Sequence, residues 1–336
     1  MPFDCLILGN ARIFVLCARE CTTEVNGAVV GPRERLPKAR FFMNYSRVAL
    51  LFVAAVCPTA VGAQPLSSER TGIPKSAFYV GIGGSANFSD FGTQSLYNKG
   101  ISNVFNGAGV QTSSGTADGP PIKPSFGTTA GFAPVFQLGY FRRFGDSNFL
   151  WGTKFLYNYL GNSSTQQNLI IPQYGSSTAG GSSTFGGQSI TGGYTVGVYH
   201  QTTFTPFVGY ALEKSFLYAG AGPSLSQVKT TLRDVVGYAT FSGVYTSVSG
   251  TPQSFSTTSW ALGAAATVGV TYFLSPSWFI DFNYAFSAPN AQTITSISPF
   301  NNPGTGGGNS YTGTLIGVYT GNVFTQAIGI SLNRTF

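Results

Sequence analysis

The 336-residue chain predicts an all-β fold: a closed, antiparallel, up-and-down transmembrane β-barrel of eight strands, or ten if a long connection hides a further hairpin. Three observations lead there. Apolar residues alternate with small or polar ones at period two through many segments, whereas helical periodicity is weak. No stretch after residue 63 has the run of about 18 apolar residues that a spanning helix needs. The connections between the alternating segments run long, short, long, short, long, short, long, as expected when tight turns lie on one side of a barrel and extended loops on the other.

The first 63 residues follow different rules from the rest. All four cysteines (Cys5, Cys17, Cys21, Cys57) and both methionines (Met1, Met43) lie there. From Met43 the chain reads as a secretory signal peptide. Arg47 supplies the basic start, Val48 to Val56 the apolar core, and Val61-Gly62-Ala63 a small-residue cleavage site before Gln64. Residues 1–42 then read as an upstream extension, 43–63 as the leader cleaved after Ala63, 64–77 as an N-terminal lead and 78–336 as the barrel.

Each strand is justified by its alternation. Phe78, Val80, Ile82, Gly84, Ala86 and Phe88 share one face of the first. Phe136, Leu138 and Tyr140 continue the pattern, as do Trp151, Phe155, Tyr157 and Tyr159 opposite Gly152, Lys154 and Asn158. A long strand ends at Tyr210, and Phe216 to Gly222 opens the next. The clearest segment runs from Trp260 to Tyr272, with Leu262, Ala264, Ala266, Val268 and Val270 on its apolar side. Its 12 steps at ~3.3 Å and ~40° tilt span roughly 30 Å, the height between two aromatic girdles. Trp278, Ile280, Phe282 and Tyr284 follow, and Phe324, Ile328, Ile330, Leu332 and Phe336 close the chain. Trp260, Tyr272, Trp278, Tyr210 and Trp151 are the expected girdle.

The turns at Gly145-Asp146-Ser147, Leu212-Glu213-Lys214 and Ser275-Pro276-Ser277 are short. The connections at about 89–130, 161–192, 229–255 and 287–321 are long and rich in Gly, Ser, Thr and Asn. They read as flexible loops carrying aromatics such as Tyr97, Tyr174, Tyr238, Tyr245, Tyr311 and Tyr319. Rigid rings among adaptable polar residues suit protein or glycan contact.

Phe78-Tyr79-Val80-Gly81, Phe216-Leu217-Tyr218-Ala219-Gly220-Ala221-Gly222 and the terminal Phe336 behind Leu332 and Ile330 resemble the small bacterial outer-membrane β-barrel family. The resemblance covers nearly all of 76–336. It implies the outer membrane of a Gram-negative bacterium, and a C-terminal signal (Phe336, Leu332, Ile330) read by the barrel assembly machinery. It also implies porin-like, adhesin or structural roles. Arg334 departs from the apolar residue usual two before the end.

Several chemistries are excluded or disfavoured. Seven of the 18 Lys and Arg precede residue 64, leaving 11 against 7 acidic groups, a net of +4. That gives no nucleic-acid footprint. Without cysteine, and with His200 as its one histidine, the barrel can build no His/Cys metal cluster. The glycine-rich 304–308 stretch lacks the Gly-Lys-Ser/Thr of a phosphate loop. No cofactor is expected.

His200 shares parity with Tyr194, Val196 and Val198, which puts it on the outward face near the outer headgroups, away from any serine nucleophile. The protein is expected not to be an enzyme. Lys154 and Asp281 fall on the inward parity of the third and seventh strands, where a buried charge needs a partner across the lumen. They are expected to form a structural pair or a selectivity element in a narrow pore. Expected partners are outer-membrane lipids and lipopolysaccharide, the assembly machinery, and host or matrix ligands through the loops.

Overall fold

The computed structural model describes residues 72–178, 181, 183–241, 243–303 and 308–336. The extension, the leader with its cleavage site, most of the N-terminal lead and the 304–307 stretch lie outside the described residues. Thirteen strands form one antiparallel sheet: β1 (Ser76–Asp90), β2 (Ser95–Phe105), β3 (Gln111–Asp118), β4 (Thr128–Arg143), β5 (Phe149–Ser177), β6 (Ser183–Ala211), β7 (Ser215–Phe241), β8 (Val244–Ser247), β9 (Gln253–Ser275), β10 (Trp278–Pro289), β11 (Gln292–Asn302), β12 (Ser310–Gly321) and β13 (Phe324–Thr335).

Eight of them close a barrel-like ring in the order β1-β4-β5-β6-β7-β9-β10-β13, with β13 returning to β1. Tyr79 pairs with Thr335 and Asp90 with Phe324 along that last seam. Short turns join β4 to β5, β6 to β7 and β9 to β10 at one end of the ring, called here the turn end.

The ring is inverted relative to a soluble fold. Ile82, Leu138, Val208, Leu262, Phe282 and Ile330 point outward and are exposed. Asn87, Gln137, Lys154, Thr205, Asp281 and Asn333 point inward and are buried. Trp151, Tyr272 and Trp278 lie outward near the turn end and Trp260 outward near the other, while Tyr210 is half-buried against the Phe149 ring. Arg334 also faces outward, its guanidinium 5.8 Å from the Trp278 ring and 5.4 Å from Phe336. A cation lying over aromatic faces at a girdle keeps its charge near the rim while its stem covers apolar surface.

Among the described residues the four long connections are mostly strand. They are a second body of sheet, the cap. The 89–130 connection contains β2 and β3, and the 287–321 connection contains β11 and β12. The other two are continuations of β5, β6, β7 and β9 beyond the ring, joined by β8 on β7. In the cap the order becomes β11-β12-β2-β3-β5-β6-β7-β9. Thr257 and Ser296 hydroxyls hydrogen-bond across the remaining β11–β9 seam, and Asn302 Nδ2 donates to the Ser249 carbonyl at 2.6 Å.

A bulge in β6 resets its alternation at the boundary between ring and cap, whereas β5 keeps its parity through Asn158, Leu160 and Asn162. Gly161, at φ +64°, sits in a register shift of β5, and β6 shifts between Val198 and Gln201. A single extra residue moves every later side chain to the opposite face. Tyr194, Val196 and Val198 are therefore buried inside the cap, whereas Gln201, Thr203 and Thr205 are buried inside the ring. This corrects the parity assigned to His200. Its side chain is on the outside, but Tyr194, Val196 and Val198 are not its companions there.

If the cap is a packed sheet, amide hydrogen exchange in β12 should be slow, with protection comparable to β10. Exchange at the rate of free loop in β12 would contradict the cap.

Candidate functional site

The interior has three layers, each made by a different kind of side chain. At the turn end Phe141, Leu150, Phe207, Phe216, Phe273 and Phe279 form an apolar cluster. Phe141 and Phe216 ring centroids are 5.3 Å apart, and Phe273 and Phe279 stack at 5.0 Å. Rings this large fit because neighbouring inward positions are glycine. A Cβ at Gly269 would lie 2.5 Å from the Tyr218 hydroxyl, and one at Gly139 2.4 Å from that of Tyr79. Gly269→Ala should therefore displace Tyr218 and lower the urea midpoint, with a cost of about 1–3 kcal/mol. An unchanged midpoint would show that the ring yields freely.

Above this cluster lies a charged knot. Lys154 Nζ on β5 donates to Asp281 Oδ2 on β10 at 2.5 Å and to the Tyr218 hydroxyl at 2.8 Å. The Tyr218 hydroxyl in turn donates to Asp281 Oδ1 at 2.9 Å. Gln137 Nε2 reaches Asp281 Oδ2 at 3.2 Å, Ser331 Oγ at 2.7 Å and Asn333 Oδ1 at 2.6 Å. Asn283 Nδ2 adds a bond to Asp281 Oδ2 at 3.1 Å. The two charged side chains are each 3% exposed. The carboxylate thus receives donors from four strands, β4, β5, β7 and β10, and ties opposite walls together. Such satisfaction is what a buried charge requires.

The middle of the ring is neutral and polar. Asn162 Nδ2 donates to Ser89 Oγ at 2.9 Å, and Gln201 Nε2 bridges Ser226 Oγ at 3.0 Å and Thr325 Oγ1 at 2.8 Å. Beyond it the cap has an apolar core built on Phe91, Leu96, Phe126, Ile171, Tyr194 and Leu232. Phe126 meets Tyr194 edge-on at 5.2 Å. A space of about 10 Å³, room for a single water, lies near Tyr194, Val228 and Tyr319. Packed hydrocarbon of the cap thus lies above the polar middle of the ring.

The cap's aromatics divide between its two faces. Tyr319 is buried in the core, while Tyr238 and Tyr245 stack at 4.7 Å where Gln188 Nε2 donates to the Tyr245 hydroxyl. Tyr174 is exposed. Across β2 and β3, Lys99 Nζ and Asp118 Oδ2 are 2.8 Å apart. Their hydrogen bond raises the Lys99 pKa and lowers that of Asp118. Asp118 therefore adds stability above its unfolded pKa and loses it as pH falls through the lower folded value; on so exposed a pair the gain is small.

His200 Nδ1 is 2.7 Å from the Tyr157 hydroxyl, and its ring meets Tyr159 edge-on at 5.1 Å. This is an outward tyrosine–histidine cluster near the top of the ring. Among the described residues no three His, Cys, Asp or Glu side chains form a group that could hold a metal ion. At the C-terminus, Ile330 and Leu332 face outward, and the backbone N–H of Phe336 donates to the Phe78 carbonyl at 2.9 Å.

No protein family matches the sequence. No curated protein matches it either. Among solved structures the chain is similar to Ail, the attachment invasion locus protein of Yersinia pestis, in complex with the heparin analogue sucrose octasulfate. The identity is 13%, over 75% of this chain and 98% of that one, with a TM-score of 0.26. It is also similar to the outer membrane protein OprG from Pseudomonas aeruginosa, at 13% identity over 79% and 99%, TM-score 0.30. A third is Neisserial surface protein A, at 10% identity over 74% and 99%, TM-score 0.26.

Proposed function

We propose that this chain is a plugged outer-membrane β-barrel that carries a folded cap at the cell surface, where it acts as a non-enzymatic structural and surface-interaction protein. The observation that carries the reading is the filling of the interior at two levels. The knot around Asp281 and the aromatic cluster fill the ring near its turn end, and the cap's apolar core fills the other end. The exposed apolar belt between aromatic rims suits lipid, which accepts only a backbone whose hydrogen bonds are all satisfied. On this reading the turn end is periplasmic. Lipopolysaccharide surrounds the outer rim, and the outward face of β13 with Phe336 meets the assembly machinery. The ordered outer face of the cap, with Tyr174, Tyr238 and Tyr245, is the surface offered to host or matrix ligands.

The competing reading is a narrow diffusion channel with Lys154 and Asp281 as its filter. Planar-bilayer recording of the purified, folded protein separates the two. The plugged barrel predicts no steady single-channel openings. Reproducible openings that change with Asp281→Asn would replace it with the channel.

A further inference from the structure

One outward face changes composition abruptly at the top of the apolar belt. Tyr159 on β5 pairs with His200 on β6, and Gln227 on β7 pairs with Trp260 on β9. These side chains point outward and mark one level of the ring. Directly above it, Lys229 and Arg233 stand exposed on β7, four residues apart. Lys229 is flanked by Gly197 and Thr258, and Arg233 pairs with Gly193. A Cβ at Gly193 would lie 3.0 Å from an Arg233 guanidinium nitrogen, so the guanidinium lies over bare backbone of β6. The outward positions around the two cations carry hydroxyls: Ser163, Thr165, Thr195, Thr231, Ser256 and Thr258.

The charges select the ligand. Among the described residues Lys75, Lys99 and Lys154 have carboxylate partners, whereas neither Lys229 nor Arg233 makes an ion pair. Asp234, next to Arg233 in the chain, lies over Gly192 instead. β1, four strands away in the ring, ends in an exposed Asp90, so the rim is not evenly basic. Two cations without counter-charges, set among hydroxyls, suit phosphates carried on a sugar, because ammonium and guanidinium give charge-assisted bonds to phosphate oxygens. At ~3.3 Å per residue their backbones are ~13 Å apart along β7, a span for two phosphates at opposite ends of a disaccharide. The surface beneath fixes the source. Leu225 and Leu262, paired with each other just below Gln227 and Trp260, are exposed, so acyl chains of a lipid held here would run straight down onto the belt. A soluble sugar phosphate has no use for that continuity.

We propose that the outward face of β6, β7 and β9 above Trp260 is a specific site for the bisphosphorylated disaccharide headgroup of an outer-leaflet glycolipid, with Lys229 and Arg233 each taking one phosphate. The site rests on the membrane-barrel reading and gives the surrounding lipopolysaccharide one fixed position on it. Native mass spectrometry of the folded, detergent-solubilised protein, titrated with diphosphoryl lipid A, counts the lipid retained. The wild type should hold one molecule, about tenfold more tightly than monophosphoryl lipid A. Lys229→Gln with Arg233→Gln should weaken retention by about tenfold or more. Arg142→Gln with Lys214→Gln, which removes the same charge from exposed positions at the turn end, should change nothing. Equal retention by the Lys229 and Arg233 variant, an equal loss in the turn-end variant, or no preference for the second phosphate would each overturn the site. If the first variant fails to reach the heat-modifiable folded form, the wild-type preference for the second phosphate decides alone. Insertion into phosphatidylcholine vesicles is measured in parallel. Protein that inserts but shows no preference overturns the site and leaves the barrel intact; protein that does not insert overturns both.

Discussion

Asp281→Asn is expected to destabilise the protein by about 3–5 kcal/mol, because it leaves the Lys154 ammonium buried without its counter-charge. Lys154 and Asp281 are each 3% exposed, and their contact joins β5 to β10 across the lumen. Tyr218, Gln137 and Asn283 lose the charged acceptor in the same substitution. Urea unfolding in detergent, followed by the heat-modifiable shift on gels, reads the effect. Lys154→Met combined with Asp281→Leu should recover most of the loss, since a matched apolar pair costs less than one stranded ion. An unchanged midpoint for Asp281→Asn would show that the knot contributes nothing to stability.

The second large effect lies on the outside of the ring. Ala266 is exposed on β9, six residues from Trp260 and six from Tyr272. If both aromatics sit at headgroup level, Ala266 is at mid-membrane, and Ala266→Arg should cost about 2–4 kcal/mol in a bilayer. The same change at Thr295, exposed on β11 in the cap, should cost almost nothing. Measured side by side by unfolding from lipid vesicles, the two substitutions locate the edge of the hydrocarbon. Equal costs at both positions would mean that the belt does not face lipid.

The ring was legible because its strands contrast two solvents. Leu262, Val268 and Val270 alternate with Ala265, Thr267 and Thr271, and the inward places of Lys154 and Asp281 follow from the same rule. Their partners were not legible. Tyr218 reads as one more aromatic, and Gln137 as one more polar residue, until the ring brings four strands around one carboxylate.

The cap was hidden for a different reason. β3 reads Gln-Thr-Ser-Ser-Gly-Thr-Ala-Asp, with no apolar face to reveal it, and its pairing with β5 joins residues far apart in sequence. Polar, glycine-rich strands look like loops when only alternation is read. The bulge between Val198 and Gln201 also reverses the parity of β6, so Tyr194 and Val196 look lipid-facing in sequence and are core in the fold.

The central claim is that the belt faces lipid, and the chain carries its own probes for it. Its three tryptophans are Trp151, Trp260 and Trp278, all outward and placed at the two rims. Intrinsic fluorescence therefore reports on the girdles alone. In vesicles of brominated phospholipid, emission should be quenched strongly by bromines near the headgroups and less by bromines at the acyl-chain ends. Single-tryptophan variants should show the same depth order for Trp260 at one rim and Trp278 at the other. Emission that no brominated lipid quenches, from protein shown to be folded, would contradict the membrane barrel itself.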